Sequence, residues 1–383
     1  MKRFKIIFWL PCYPDVMRSF IKSFARISEC DVTLVCLDVI PPERIKMYAG
    51  DDLASFCKIV QCNAEIKGNE QIEQLLSDSL DEIHIFGGML GRVGEVLSEY
   101  NRMGGRRGVV ITEKPSLVPT KRFRRSIMLI KSIRSKRIYY NAYKKNAEAI
   151  AGIFVTGQAG VRQLARYGIP NNKLFRFMYT HIDECLAESM QSKADTVRFL
   201  YLGRFEYLNR GVDSLVYAFE RINRSSWRLD LVGGYGEDAE EIIKWAEKTP
   251  NVNYLGAWNN DKVIENMQNY DVCVSPTRMD GWRIQVNQAI MAGIATITTN
   301  EAISDELVTA SGTGLVVDAN SKKGLLAAVR YAVDHPQTVK NWKENTQKFK
   351  QKISNSAVAE YFEDTLEYLF EEGKEQPECP WAR

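Results

Sequence analysis

Histidine is scarce here. The three in the chain, His84, His181 and His335, lie far apart. The eight cysteines, Cys12, Cys30, Cys36, Cys57, Cys62, Cys185, Cys273 and Cys379, form no C-x-x-C pair. Such spacing speaks against a zinc site, and no metal is expected. Several of these cysteines fall inside apolar runs, as buried reduced thiols do, which points to a reducing compartment. Long apolar runs are also missing. Nothing approaches the roughly twenty apolar residues of a membrane span. The start, MKRFKIIFWLPC, has the charges of a signal peptide. Its apolar run, about five residues, is too short for one and reads as a first strand. Net charge is small too, at +3.

What is present is enough for two domains. The chain has 383 residues, 45% of them apolar, so it buries real cores. Its charge is unevenly spread. Residues 1–190 carry 29 lysines and arginines against 20 acids, and residues 191–383 carry 22 against 28. A basic half and an acidic half suggest domains that face different partners.

Strand-like and helix-like runs alternate throughout. In the first half the predicted strands are Phe4–Leu10, Val32–Leu37, Ile59–Gln61, Ile83–Phe86, Val109–Thr112 and Ile153–Thr156. Helical patterns between them include Asp15–Ser28, Glu70–Ser79 and Gln158–Tyr167. In the second half the strands are Val197–Leu202, Arg228–Val232, Val252–Leu255, Val272–Val274, Ala295–Thr298 and Gly314–Val317. The helices are Val212–Ile222, Asp238–Glu247, Lys262–Met267, Gln285–Ala292 and Lys323–Val333, with two more in the tail, about Thr338–Lys350 and Ser354–Phe370. Such alternation implies parallel sheets covered on both faces, with ligands beyond the C-terminal strand ends.

Lys114–Lys145 breaks the rhythm, with eleven Lys or Arg and no acid. Phe123, Ile127, Ile130 and Ile133 recur at helical spacing. A basic amphipathic helix with aromatics reads as a membrane-surface element. The competing reading is a solvated basic face over an ordinary core stripe. No nucleic-acid recognition motif accompanies the charge, so nucleic acid is not expected as a partner.

The most informative stretch is Ser275–Leu307. A buried strand ends at Pro276, Gly281 turns the chain, a helix runs to a Gly293 cap, and a second strand follows. A helix N-terminus so placed suits a phosphate, although an ordinary strand–helix–strand crossover has the same pattern. Three other runs belong with it: Gly203-Arg204 through Arg210-Gly211, Gly233-Gly234-Tyr235-Gly236, and Tyr254-Leu255-Gly256-Ala257-Trp258.

Ser275-Pro276, Asp280-Gly281-Trp282-Arg283 and Gln288-Ala289-Ile290-Met291-Ala292-Gly293 resemble the donor-site signature of family 4 glycosyltransferases. These are retaining, metal-independent enzymes of the GT-B fold. The other runs resemble that family's loops, in family order. The resemblance implies an α/β chain of two Rossmann-like domains facing a central cleft. The expected parts are an acceptor domain at 1–182 with the basic segment 114–145, a hinge at 183–195 that includes Asp183, and a nucleotide-sugar domain at 196–352. A helix at 353–371 would cross back onto the first domain, and 372–383 would be a loose tail.

The resemblance also assigns roles. Arg204 and Arg210 would hold the donor diphosphate, where bond cleavage leaves negative charge. Asp280 would reach the sugar hydroxyls, and Gln288 the ribose. Gly233 and Gly234 would let the backbone approach the nucleotide, and Gly256 and Trp258 would lie against the base. Gly281, Trp282 and Arg283 complete the donor loop. Two departures stand out: Asp280 and Gln288 replace the family's glutamates, and Arg283 replaces its second glycine. Gln288 keeps an acceptor but loses the charge, which weakens a ribose bond by about 1 kcal/mol. Arg283 would either block backbone approach or offer its guanidinium to a phosphate or an acidic sugar. His84 matches the first histidine of the family's spacing, with Phe86 at the second; the other reading of His84 is a satisfied strand histidine. Glu113 is a candidate acceptor carboxylate.

These expectations amount to a hexosyltransferase without cofactor that uses a UDP or GDP sugar. Its acceptor would be a lipid-linked, lipopolysaccharide or surface-polysaccharide glycan. It would be cytoplasmic and peripheral to an anionic inner membrane face through Lys121, Arg122, Arg124 and Arg125. The rivals are a soluble transferase with a small or protein acceptor, and a non-catalytic scaffold of the same fold.

Overall fold

The structure is a computed structural model describing residues 4–13, 16–28, 30–38, 53–62, 66, 68–116, 125–180, 196–258 and 263–382, with backbone alone at 125–129. The expected hinge at 183–195 lies outside the described residues. Two compact units form: one holds the described residues of 4–116, 125–180 and 355–380, and the other those of 196–354 with 381–382.

The first unit is built on seven strands: β1 (Lys5–Leu10), β2 (Asp31–Cys36), β3 (Lys58–Gln61), β4 (Ile83–Phe86), β5 (Gly108–Thr112), β6 (Ile150–Thr156) and β7 (Leu174–Phe177). All pair in parallel in the order β3-β2-β1-β4-β5-β6-β7. The central strands read as continuous apolar runs because helices cover both faces. β4 and β5 are buried at every position. The helices are α1 (Arg18–Ile27), α2 (Glu70–Ser77), α3 (Gly91–Arg102), α4 (Arg125–Asn146) and α5 (Gly157–Tyr167). Asn69 starts α2 by accepting from the amides of Gln71 and Ile72. The sequence reading does not mark β7 or α3. β7 is only four residues long, LFRF, with little alternation to betray it.

The second unit has β8 (Val197–Gly203), β9 (Trp227–Gly233), β10 (Val252–Tyr254), β11 (Val272–Ser275), β12 (Ala295–Thr299) and β13 (Gly314–Val317). They are parallel, in the order β10-β9-β8-β11-β12-β13. Sequence order reverses between β8 and β11, so the crevice beyond Gly203 and Ser275 is where such a sheet holds ligands. The helices are α6 (Tyr207–Arg210), α7 (Val212–Phe219), α8 (Ala239–Lys248), α9 (Val263–Met267), α10 (Ile284–Met291), α11 (Asp305–Ser311), α12 (Lys322–Asp334) and α13 (Pro336–Phe349). Gly293 ends α10 with φ at +77°. Its amide donates to Ile290 O at 3.1 Å, and the Ile294 amide to Ala289 O at 3.0 Å. This paired bonding closes a helix at a residue of positive φ.

The last helix, α14 (Asn355–Phe370), belongs to the first unit and packs against α1. Phe362 meets Phe154 at 4.5 Å, Phe20 at 5.1 Å and Phe24 at 5.3 Å, centroid to centroid. The segment after it is not simply loose. Trp381 is 1% exposed and donates its indole N–H to Glu306 at 3.1 Å. A large ring with one polar atom and a partner for that atom is a good anchor, even within a Glu- and Pro-rich tail.

Candidate functional site

The C-terminal ends of β8 and β11 carry the loops that meet in the second unit. Gly233 ends β9 with φ at +141°, and a Cβ there would lie 2.0 Å from Gly203 O. At Gly211, between α6 and α7, a Cβ would lie 2.0 Å from Pro276 O. Only glycine allows these backbones to come so close.

Arg210, at the end of α6, is brought onto Asp280 and donates to its Oδ2. Both side chains are mostly buried, 14% and 16% exposed. The Gly281 amide donates to Oδ1 of Asp280 at 2.9 Å. Arg283, the residue before α10, turns inward and is only 4% exposed. Its Nε donates to Ser275 Oγ at 2.8 Å and its Nη2 to Leu202 O at 2.9 Å, tying the ends of β8 and β11. Its Nη1 lies 3.8 Å from Asp280 Oδ2. Burial, and then the neighbouring Arg210, pulls the Arg283 guanidinium below the usual arginine value, while Asp280 opposes this. Two guanidiniums share one carboxylate, which leaves positive charge in a largely dry crevice. That arrangement favours an anion.

The other donor-loop residues surround this cluster. Arg204 is half exposed and pairs with Glu206 at 3.0 Å, while Tyr201 Oη donates to Arg204 O at 2.6 Å. The Gly233 amide donates to Gly256 O at 2.9 Å, and Tyr254 Oη donates to Gly233 O at 3.3 Å, binding the two glycine loops together. Gly234 leaves no room for a side chain beside Tyr254 Oη. Trp258 lies against Tyr270 at 6.1 Å. Gln288 is 5% exposed. Among the described residues its Oε1 and Arg210 Nε are buried without a hydrogen-bond partner, a costly condition that a ligand would relieve. Trp282 differs from its assigned role. It is 5% exposed and gives its indole N–H to Asn287 Oδ1 at 2.9 Å, so it anchors the start of α10. Ser275 and Glu206 carry structural parts that the reading did not assign. The signal for Glu206 was a carboxylate two residues after Arg204.

The first unit answers differently. His84 is fully buried between Trp9, at 6.1 Å, and Tyr100, at 4.4 Å. Trp9 Nε1 donates to His84 Nδ1 at 2.9 Å. The other ring nitrogen therefore carries the proton and donates to Ser79 O, 2.8 Å away. Burial pushes its pKa down to about 4. His84 is a satisfied core histidine and reaches no open surface, which removes it from the catalytic candidates. Glu113 is exposed just past β5 and engages the Tyr179 phenol. Burial, and then that carboxylate, raises Tyr179 well above its ordinary value. Lys121, Arg122 and Arg124 lie outside the described residues, as does the side chain of Arg125. No group of His, Cys, Asp or Glu suited to a metal occurs among the described residues. Likewise, no helix among them is long and apolar enough to cross a membrane.

Residues 186–349 match the family model described as Glycosyl transferases group 1. A glycogen synthase of Mycobacterium tuberculosis (strain H37Rv) is 27% identical over 141 residues, 36% of this chain. The match spans only about a third of that relative, 34% of its length. Solved structures match along nearly the whole chain. Anabaena Alr3699/HepE, in complex with UDP-glucose, has a TM-score of 0.69 at 12% identity, covering 95% of this chain and 99% of that one. Sucrose-phosphate synthase from Thermosynechococcus elongatus gives 0.67 at 15% identity, covering 96% and 99%. WaaG, a glycosyltransferase involved in lipopolysaccharide biosynthesis, gives 0.60 at 15%, covering 94% and 99%. The chain thus has the GT-B fold, and its second unit is similar to the glycosyl transferases of group 1, which together support a transferase.

Proposed function

We propose that this protein is a glycosyltransferase that takes a sugar from a nucleoside-diphosphate donor held by the second unit and passes it to an acceptor held by the first. The observation that carries this reading is the Arg210–Asp280–Arg283 cluster, with its excess positive charge at the switch point between β8 and β11. As the bond from the sugar to the diphosphate breaks, negative charge grows on the departing phosphate. Arg210 receives that charge, and Arg204 joins it by leaving Glu206. Asp280 is positioned for the sugar hydroxyls. The buried acceptor of Gln288 suits a ribose hydroxyl. In this scheme the reaction retains configuration, as in family 4, and the leaving phosphate takes the acceptor's proton.

UDP is the preferred nucleotide over GDP, in line with the UDP-glucose complex of the Anabaena neighbour. The acceptor is lipid-linked or part of a lipopolysaccharide or surface polysaccharide. Two points support this: the basic segment 114–145, and the likeness to a glycosyltransferase of lipopolysaccharide biosynthesis. The protein would then work in the cytoplasm, at the inner face of the membrane. The test is a thermal-shift panel with UDP, GDP, ADP and their sugar conjugates. A ligand at a hundred times its dissociation constant stabilises by about 2.7 kcal/mol. One nucleotide should shift the wild type and fail to shift Arg210→Ala. No shift from any of them would favour the non-catalytic scaffold.

A further inference from the structure

Helix α4 carries its hydrocarbon outward. Ile130 is 65% exposed and Ile133 59%. Arg137 is exposed at helical spacing with both, and Arg134 and Lys136 flank them. Tyr143, further along the same helix, is 8% exposed and packs into the core, with Tyr139 packed against it. Ile130 and Ile133 are therefore not part of a core stripe; Phe123 and the side chain of Ile127 lie outside the described residues.

Beside Ile133 a cavity of about 470 Å³ opens between α4 and α5. Its rim carries Lys114, Lys136, Arg162 and Arg166, and no lining residue is acidic. Its floor is rigid. Gln163 Nε2 donates to Pro115 O at 2.9 Å and to Tyr167 Oη at 2.8 Å, and Tyr167 Oη donates to Ser135 Oγ at 3.2 Å. These bonds join α5 to α4 and to the loop after β5. Glu113, next to Lys114 in sequence, is engaged with Tyr179.

A cationic recess lined by Ile133, with Ile130 exposed one turn away on the same helix, has a joint requirement. A soluble anion would use the recess and leave the isoleucines in water. A nucleic acid would likewise use the charge and leave the aliphatic Ile130 and Ile133 in water. A bilayer surface supplies both halves, phosphate at headgroup depth and hydrocarbon just beneath. We propose that this cavity seats the phosphate of an anionic lipid headgroup, with Ile130 and Ile133 entering the hydrocarbon boundary. It gives the membrane-facing part of the proposed function a definite site, in the unit that does not hold the Arg210 cluster. Its test does not depend on sugar transfer.

The experiment is vesicle sedimentation of the full chain. It uses phosphatidylcholine vesicles with and without phosphatidylglycerol, for the wild type, Arg162→Glu/Arg166→Glu and Ile130→Ser/Ile133→Ser. Thermal shift with UDP reports independently on the donor reading. Wild type should pellet with the anionic vesicles only. Each double variant should lose roughly tenfold or more in partitioning while keeping its UDP response. Failure of wild type to prefer anionic vesicles would overturn the proposal, as would charge reversal without effect. So would an unaffected isoleucine variant whose binding is displaced by millimolar inorganic phosphate; the cavity would then be a free-phosphate site. Loss of the UDP shift in wild type would count against the donor site alone.

Discussion

The Arg283 guanidinium stands 3.8 Å from Oδ2 of Asp280, the same oxygen that Arg210 engages. Arg283 is itself fixed by Ser275 Oγ and Leu202 O, so it is a stationary cation behind a carboxylate. Arg283 stands where the resembled family has glycine; its side chain turns inward and its backbone amide donates to Ala302 O at 3.0 Å. We infer that its charge steadies Asp280, so that Arg210 can turn to a diphosphate. Arg283→Met should weaken UDP binding by roughly tenfold, the scale of one charge-assisted bond, although Arg283 is nearly buried. Arg283→Lys should recover part of the loss. In an Asp280→Asn background the Met substitution should cost much less. Calorimetric titration of the four proteins completes the cycle. If the Met substitution costs the same with and without Asp280, Arg283 acts only by holding the strand ends.

His84 gives a stability signature in acid. Its folded pKa is pushed down to about 4 from the ordinary 6.5. The unfolded chain therefore binds the proton more readily, and stability is full above about pH 6.5 and drains away as pH falls toward 4. At the bottom of that window the loss from this one group is about 3 kcal/mol. Protonating Nδ1 also ends the bond from Trp9. Urea midpoints measured from pH 7 to pH 4 should show this slope in the wild type. His84→Gln, lower in stability at pH 7, should show a flatter profile. Equal slopes would mean that His84 is not the group responsible.

Much of this was legible because parallel strands buried on both faces declare themselves. Ile83–Phe86, buried at every position, and the half-buried edge strand Gly314–Val317 both have the boundaries that their apolar runs suggest. The glycine loops were legible for the same physical reason that they exist: no other residue fits where backbone passes within 2.0 Å of a would-be Cβ, as at Gly211 and Gly233. What escaped was direction. Spacing put Ile130 and Ile133 on one face of a helix but could not say which face met the core. Sequence placed Arg283 and Trp282 in the donor loop, yet both turn inward, because Ser275 and Asn287 offer buried acceptors that only the folded chain brings near. His84 had the right neighbourhood, but its partners Trp9 and Tyr100 arrive from other elements.

Helix α14 is read most directly through Phe362, which touches Phe20 and Phe24 of α1, Phe154 of β6 and Phe177 of β7. It is fully buried. Replacing it with alanine removes one ring from a five-ring cluster and leaves a hole that four aromatic neighbours cannot all close. The expected cost is about 3–5 kcal/mol. Glu360, two residues away and exposed, is the control, and its replacement by alanine should stay within about 0.5 kcal/mol. Equilibrium urea unfolding of the full chain, followed by tryptophan fluorescence, measures both, because Trp9 sits in the sheet that α14 covers while Trp381 reports on the other unit. A two-step loss of signal in Phe362→Ala, with the first unit unfolding early, would follow from α14 being part of that unit's core. A cost near that of Glu360→Ala would mean instead that the helix merely rests on α1, and that the first unit's sheet is complete without it.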